Sequence, residues 1–274
     1  MTAYSSSTLQ PHSQPGSKLP IRSFTIPTRE PERSIEIRIA EPQLRADGLG
    51  LETWASSYIL SSLLRNFRVP FDDESRTPND ILRNANIPVL ELGAGTGLVG
   101  LSAQAIWGVP VLLTDLQPIV AGLQTNIDLN PEISRGAVNP AAATVNYSAR
   151  CGTLDWKSPS TLELGTGDCV YSSSTSKAHV ILAADTVYSE EHPELLTRVI
   201  KSWLAPDPDS RVVIAYSMRV AYLDEIRDLW NRFEEAGLEV MQEGRETAQE
   251  GMFDDELLIE WSVWKWKTYQ RMGT

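Results

Sequence analysis

The sequence predicts an α/β fold in which a doubly wound, mostly parallel sheet of seven strands is covered by helices on both faces. Short apolar runs typical of buried strands alternate with amphipathic segments of about a dozen residues. This alternation indicates parallel strands joined by right-handed crossovers. The last two predicted strands, 238–242 and 257–266, leave no room for a helix between them. They therefore predict an antiparallel hairpin at the C-terminal edge of the sheet.

The elements are predicted in chain order from these periodicities. Alternation of apolar and charged residues predicts a strand at 35–39, and apolar residues at helical spacing predict a helix through about residue 67. The later strands and helices follow as strand 89–92, helix 98–107, strand 111–115, helix 117–130, strand 142–147, strand 179–185, helix 193–204, strand 211–216 and helix 222–235.

Composition divides the chain into an arm and one domain. Residues 1–31 are rich in Ser, Thr and Pro and predict a flexible N-terminal arm. Residues 32–274 form the predicted domain, with the first strand and helix as an N-terminal cap. We interpret 71–86 as a loop or short helix, and the Ser/Thr/Gly-rich segment 157–177 as a surface insertion.

Charge and cysteine content restrict the function classes. The formal net charge of −12 disfavours sequence-independent nucleic-acid binding and favours basic partners. No apolar run approaches the roughly 18–20 residues needed to span a bilayer, and no signal peptide is recognisable. Cys151 and Cys169 have no metal-ligand spacing around them. We therefore expect a monomer without metal, nucleic-acid or membrane partners, in the cytoplasm or also in the nucleus.

A glycine turn at the end of the central strand indicates a cofactor site. Gly93, Gly95 and Gly97 alternate with other residues, and the next helix directs free N–H groups at whatever lies over the turn. Leu98 stands where the third glycine of a dinucleotide fingerprint would fall, and no Walker A sequence follows. Glu91 would repel a pyrophosphate but would pair with an ammonium. A cofactor with an amino-acid end and no phosphate fits best.

Acidic residues end two further predicted strands. Asp115 lies twenty residues after Gly95, which places its carboxylate to accept the hydroxyls of a ribose in a Rossmann-like site. Asp185 ends the strand at 179–185. Ligands of parallel sheets bind beyond the carboxyl ends of the strands, so both acids should meet the glycine turn at one edge. The alternative for Asp115 and Asp185 is that each only caps a helix or lies in a loop. Trp54 lies near the start of the first predicted helix, and it could be a core tryptophan instead of a site residue.

Four ordered motifs carry a family resemblance. They lie at 50–54 (Gly-Leu-Glu-Thr-Trp), 91–97, 154–156 (Leu-Asp-Trp) and 185–188 (Asp-Thr-Val-Tyr). The glycine motif alone resembles class I methyltransferases that use S-adenosylmethionine (SAM). Together the motifs resemble the seven-strand lysine methyltransferases called methyltransferase family 16, which includes METTL21-type enzymes and fungal elongation-factor methyltransferases. The resemblance covers about residues 35 to 266.

The resemblance implies SAM as the cofactor and a protein lysine as the methyl acceptor. It implies that Asp185 and Tyr188 lie beside the transferring methyl. The expected cofactor-binding residues are Trp54, Glu91, Gly93, Ala94, Gly95, Gly97, Asp115, Leu116, Trp156 and Ala184.

A lysine must lose its proton before its nitrogen can attack a methyl group, and an aspartate is too weak a base to remove that proton unaided. We therefore expect Asp185 to hold and orient the ammonium, and Tyr188 to contact the acceptor by a hydrogen bond or a cation–π interaction. The predicted function is SAM-dependent protein-lysine N-methylation, with a translation factor as one acceptor class. The alternatives are methylation of a small metabolite and an inactive interaction module of the same fold.

Overall fold

The computed structural model describes residues 20–41, 45–46, 49–50, 52–70, 86–134, 149–165, 169–253 and 256–267. Its strands and helices, in chain order, are β1 (Ile21–Pro27), β2 (Ser34–Ala40), β3 (Arg45–Ala46), β4 (Leu49–Gly50), α1 (Ala55–Leu63), β5 (Ile87–Leu92), α2 (Leu98–Trp107), β6 (Val111–Asp115), α3 (Gln117–Leu129), α4 (Pro131–Ser134), β7 (Ala149–Thr153), β8 (Thr161–Leu164), β9 (Cys169–Ser172), β10 (Ala178–Ala184), α5 (His192–Trp203), β11 (Arg211–Ser217), α6 (Leu223–Glu235), β12 (Leu238–Thr247) and β13 (Leu258–Trp266). Short 3₁₀ turns follow α1 at Leu64–Asn66 and precede α6 at Val220–Tyr222.

The large sheet confirms the predicted fold class. Its strand order is β12-β13-β11-β10-β5-β6-β7-β8-β9. The five strands from β11 to β7 run parallel to one another. β13 is antiparallel to β11, and β12 is antiparallel to β13, which is the predicted C-terminal hairpin. One sheet face packs against α1, α2, α3 and the β1–β2 hairpin, and the other packs against α5 and α6.

The segment 157–177 contains two strands that the sequence analysis did not assign. β8 and β9 extend the sheet beyond β7 as antiparallel strands, so the sheet has nine strands within the described residues, where seven were predicted. Leu162 and Leu164 are buried, and they alternate with exposed neighbours among Ser, Thr and Gly residues. Two apolar residues are too few to give a clear period in the sequence. The predicted strand at 142–147 lies outside the described residues, and β7 is the strand that pairs with β6.

Part of the predicted flexible arm forms the strand β1, which the sequence analysis did not assign. This strand pairs antiparallel with β2, and its Phe24 and Ile26 are buried together with Ile37 and Ile39 of β2. The alternation Phe-Thr-Ile is short and stands between Pro20 and Pro27, and proline is depleted in strands, so the strand signal is weak. Residues 1–19 lie outside the described residues, as does most of the predicted loop at 71–86. No helix in the described ranges is both long and apolar enough for a membrane crossing.

Candidate active site

A cavity of about 410 Å³ opens at the carboxyl ends of β5, β6, β10 and β11. This is the edge at which the sequence places its glycine turn and its two acids. Ten of the twelve predicted site residues line the cavity, namely Trp54, Gly93, Ala94, Gly95, Asp115, Leu116, Trp156, Ala184, Asp185 and Tyr188. The other two, Glu91 and Gly97, are not among the lining residues.

The glycine turn needs its glycines for two different reasons. Gly93 has φ +61°, and a Cβ there would lie 3.0 Å from the Thr186 methyl and 3.2 Å from the Trp156 ring. Gly95 has φ +55°, but a Cβ there would meet no atom within 4 Å. Both backbone conformations disfavour side chains. Gly93 therefore allows Trp156 to pack closely, whereas Gly95 faces open space in the cavity.

Asp115 connects the second parallel strand to the glycine turn. Its Oδ2 accepts a hydrogen bond from the Gly95 N–H at 2.8 Å, and its Oδ1 accepts one from the Leu116 N–H at 2.7 Å. Burial raises the pKa of Asp115, and the two backbone hydrogen bonds oppose that rise. A carboxylate has about four acceptor positions, so each oxygen can still accept a hydroxyl from a ligand.

Glu91 and Gly97 lie behind the cavity wall. Glu91 is 2% exposed, and its Oε2 accepts a hydrogen bond from the Gly100 N–H at 2.9 Å. Glu91 does not line the cavity, and the direct contact with a cofactor ammonium that we expected for it stays a prediction. Gly97 precedes α2 at φ +83°, and a Cβ there would lie 2.8 Å from the Leu113 side chain. Both residues lie where α2 packs on the sheet, so they stabilise the glycine turn without lining the cavity.

Two tryptophans form aromatic walls of the cavity. Trp54 precedes α1, is only partly buried, and lies with its ring centroid 5.3 Å from the guanidinium carbon of Arg219. Trp156 packs on Gly93 and meets the His192 ring edge-on at 5.9 Å. The alternative that Trp54 is a core tryptophan does not fit its position at the cavity.

The surroundings of Asp185 differ most from what the sequence predicted for the site. Arg219 donates from Nη1 to Asp185 Oδ1 at 3.0 Å and from Nη2 to Oδ2 at 2.7 Å. The Asp185 side chain is 4% exposed, and its backbone has φ +58°, a left-handed conformation that is uncommon outside glycine. The carboxylate expected to hold a substrate ammonium thus already pairs with a cation of its own chain. A single arginine in the loop after β11 gave no pattern in the sequence, and its partner lies 34 residues away.

Tyr188 is held by the first turn of α5. Its ring meets the His192 ring edge-on at 4.3 Å, and its N–H donates to His192 Nδ1 at 3.3 Å. His192 is a further cavity residue that the sequence analysis missed. Within the described ranges, no three His, Cys, Asp or Glu side chains are grouped closely enough to share a metal ion.

The sequence matches the lysine methyltransferase family over residues 32–229. The chain belongs to this family. The match contains all of the cavity residues discussed above, and the family uses SAM as its methyl donor. The family membership confirms the resemblance drawn from the four motifs.

Three relatives place this lysine methyltransferase family member more closely. Protein-lysine N-methyltransferase EFM2 of Saccharomyces cerevisiae is 34% identical over 221 residues, covering 77% of this chain and 47% of that protein. Protein-lysine N-methyltransferase rrg1 of Schizosaccharomyces pombe is 32% identical over 245 residues, covering 88% and 71%. Protein-lysine methyltransferase METTL21E of Mus musculus is 31% identical over 163 residues, covering 58% and 52%. The chain thus spans about half the length of the Saccharomyces and mouse relatives.

Proposed function

We propose that this chain is a SAM-dependent protein-lysine N-methyltransferase. One observation carries the proposal: a single cavity joins the glycine turn and Asp115 on one side to Asp185 and Tyr188 on the other. The first group suits a nucleoside with an amino-acid end, and the second suits an acceptor with a basic nitrogen. The names of the three relatives support a lysine acceptor.

The residues present fit SAM. Gly95 leaves space where a side chain would fill the cavity, and Asp115 keeps acceptor positions for the ribose hydroxyls. The cavity volume of about 410 Å³ lies in the range of small-molecule sites. When bound, SAM supplies an electrophilic methyl group. We assign its binding to Trp54, Gly93, Ala94, Gly95, Asp115, Leu116, Trp156 and Ala184, with Glu91 and Gly97 supporting the turn.

The acceptor end is assigned to Asp185 and Tyr188. A free lysine has a reference pKa near 10.4, so forming the neutral amine at pH 7 costs about 5 kcal/mol. Asp185 orients the acceptor nitrogen, and Tyr188 contacts it by a hydrogen bond or through its ring. The T-shaped contact with His192 fixes the Tyr188 ring, which reduces the freedom lost when an acceptor binds.

The identity of the acceptor protein belongs to the same proposal. The resemblance to fungal elongation-factor methyltransferases supports a translation factor, and the net charge of −12 suits a basic segment around the target lysine. We also propose that the protein acts as a monomer, in the cytoplasm or also in the nucleus, and without nucleic-acid or membrane partners.

Methyl transfer in cell extract tests the proposal. The purified chain is incubated with radiolabelled SAM and either a proteome extract or a protein-free metabolite extract, and labelled proteins are digested for mass spectrometry. We expect methyl-lysine in one or a few proteins. Asp115→Ala is the binding-deficient control and should stay folded. Calorimetry should show its SAM binding weakened by roughly 1.5–3 kcal/mol, the value of a hydrogen bond to a charged group.

The other outcomes discriminate the alternatives. Label confined to the metabolite extract would replace the lysine acceptor with a small molecule. SAM binding without any transfer would support an inactive module, and a wild-type chain that binds no SAM would overturn the cofactor assignment.

A further inference from the structure

The acceptor end of the cavity contains an internal ion pair rather than a lone carboxylate. Arg219 and Asp185 meet through two hydrogen bonds of 3.0 and 2.7 Å, and the side chains are 22% and 4% exposed. Both residues line the cavity. Two parallel hydrogen bonds match the planar guanidinium to the carboxylate, so the orientation of the pair is fixed as well as its charge.

Arg219 is held in this position from three sides. Its N–H donates to the Ser217 carbonyl at 2.8 Å, and its carbonyl accepts from the Tyr222 N–H at 3.0 Å, which fixes the loop after β11. Its guanidinium carbon lies 5.3 Å from the Trp54 ring centroid, within the range of a cation–π contact. The guanidinium therefore joins the β11 loop, the end of β10 and the start of α1.

The net charge of this pair determines whether an acceptor lysine is favoured as an ammonium or as a neutral amine. A lone buried carboxylate stabilises a neighbouring ammonium and raises its pKa, whereas a neighbouring cation lowers the pKa of an amine. The methylation reaction needs the neutral amine. We infer, on the basis of the proposed function, that Arg219 neutralises Asp185 so that this end of the cavity accepts the target lysine as an uncharged amine. Arg219 is thus a positioning residue for Asp185.

Other ionisable groups also surround the cavity. Asp115 already accepts two backbone hydrogen bonds, and Lys157 pairs with Glu191 at 2.9 Å. Within the part of the chain that the structure describes, the further charged or titratable lining residues are Glu52, Asp115, Asp155, Lys157, Tyr188, Glu191, His192 and Tyr222. The variants below leave all of these unchanged, so a shift between them reports the Arg219–Asp185 pair.

The pH dependence of kcat tests the inference, because it reports ionisations in the enzyme–substrate complex. The acceptor is a peptide around the lysine labelled in the extract, and kcat is measured at saturating SAM and peptide from about pH 6 to about pH 10. Arg219→Gln should shift the rising limb to higher pH by roughly one to three units. Asp185→Asn removes the negative charge and keeps the guanidinium, so it should shift the rising limb to lower pH. Arg219→Lys keeps the charge and should keep the wild-type limb with a lower kcat.

Calorimetry of peptide binding gives a second readout without turnover. Binding measured in buffers of different ionisation enthalpy counts released protons, and release should fall in Arg219→Gln. Arg227→Gln, which removes an exposed arginine paired with Asp224 on α6, is the control with the same charge change outside the cavity and should behave as wild type.

The outcomes separate this inference from the proposed function. A wild-type chain that methylates no protein lysine defeats the proposed function and the inference with it. An active wild-type chain whose Arg219→Gln and Asp185→Asn variants keep its pH limb defeats the inference alone. If Arg219→Gln does not fold, because it removes the guanidinium from a buried carboxylate, the direction of the Asp185→Asn shift decides.

Discussion

At the scale of single residues, the buried carboxyl of Glu91 makes the stability of the fold depend on pH. Burial is the main reason that its pKa rises from 4.5 to about 8, the Gly100 N–H opposes the rise, and the charge of Asp115 adds to it. The folded chain therefore binds this proton more tightly than the unfolded chain does. The resulting stability is fully present below about pH 4.5 and is lost as the pH rises through about 8.

Glu91→Gln should remove most of this dependence, because glutamine can still accept the Gly100 hydrogen bond without titrating. We expect the melting temperature of the variant to fall less than that of the wild type between pH 5 and pH 8, as roughly a few kcal/mol are no longer lost. Part of the slope should remain, since the pKa of Asp115 is also raised by burial. Glu246→Gln, at an exposed position on β12, is the control. Identical slopes in all three proteins would show that Glu91 does not titrate in this range.

At the scale of elements, the apolar runs of the sequence predicted the strands that carry the site. β5, β6 and β10 are buried along almost their whole length, so their sequences are nearly continuous apolar runs. β1 and β8 were missed because each buries only two side chains among polar residues. The Arg219–Asp185 contact could not be predicted either, since it depends on how the loop after β11 returns over the end of β10.

The glycine turn permits a paired test of backbone and cavity effects. Gly95 and Gly108 have similar φ values of +55° and +64°, and a Cβ at either would meet no atom within 4 Å. Alanine at each should therefore cost a similar stability of about 1 kcal/mol, because both need a left-handed backbone. Only Gly95 lines the cavity, whereas Gly108 ends α2.

We expect Gly95→Ala to weaken SAM binding by tenfold or more, roughly 1.4 kcal/mol, and Gly108→Ala to leave it unchanged. Calorimetry and urea denaturation of both variants give the two quantities separately. Equal affinities in the two variants would place SAM away from the glycine turn.

At the scale of the whole molecule, polar contacts join the N-terminal hairpin to the cavity. Asn126 and Asn130 lie one turn apart at the end of α3 and bond to the backbone of Ala40 and Arg38 on β2. The two side chains thus satisfy alternate backbone groups on the β2 edge that faces away from β1, as a neighbouring strand would. Asn126 also donates to the Thr96 carbonyl in the glycine turn at 2.9 Å.

This arrangement makes Asn126 a junction between β2, α3 and the cavity wall. Thr96 lies within hydrogen-bonding distance of Thr53, with 3.0 Å between the hydroxyl oxygens, and Thr53 directly precedes the cavity residue Trp54. Two hydrogen bonds therefore connect Asn126 to Thr53, the residue before Trp54, so a substitution at Asn126 can displace the Trp54 side chain. The sequence alone gives no sign of it, because an asparagine inside a helix predicts only weak helix propensity.

Asn126→Ala should cost roughly 2–4 kcal/mol of unfolding free energy, because it leaves buried backbone groups of β2 and the glycine turn without partners. SAM binding should weaken as well, since the turn and Trp54 lose a common support. The neighbouring Thr125→Ala is the control: its exposed hydroxyl donates to the Ala121 carbonyl of the same helix, so both quantities should stay near wild type. Urea denaturation and calorimetry measure the two effects. A variant that is destabilised but binds SAM with unchanged affinity would show that the hairpin stabilises the fold without shaping the cavity, and the contact from Asn126 to Thr96 would then be purely structural.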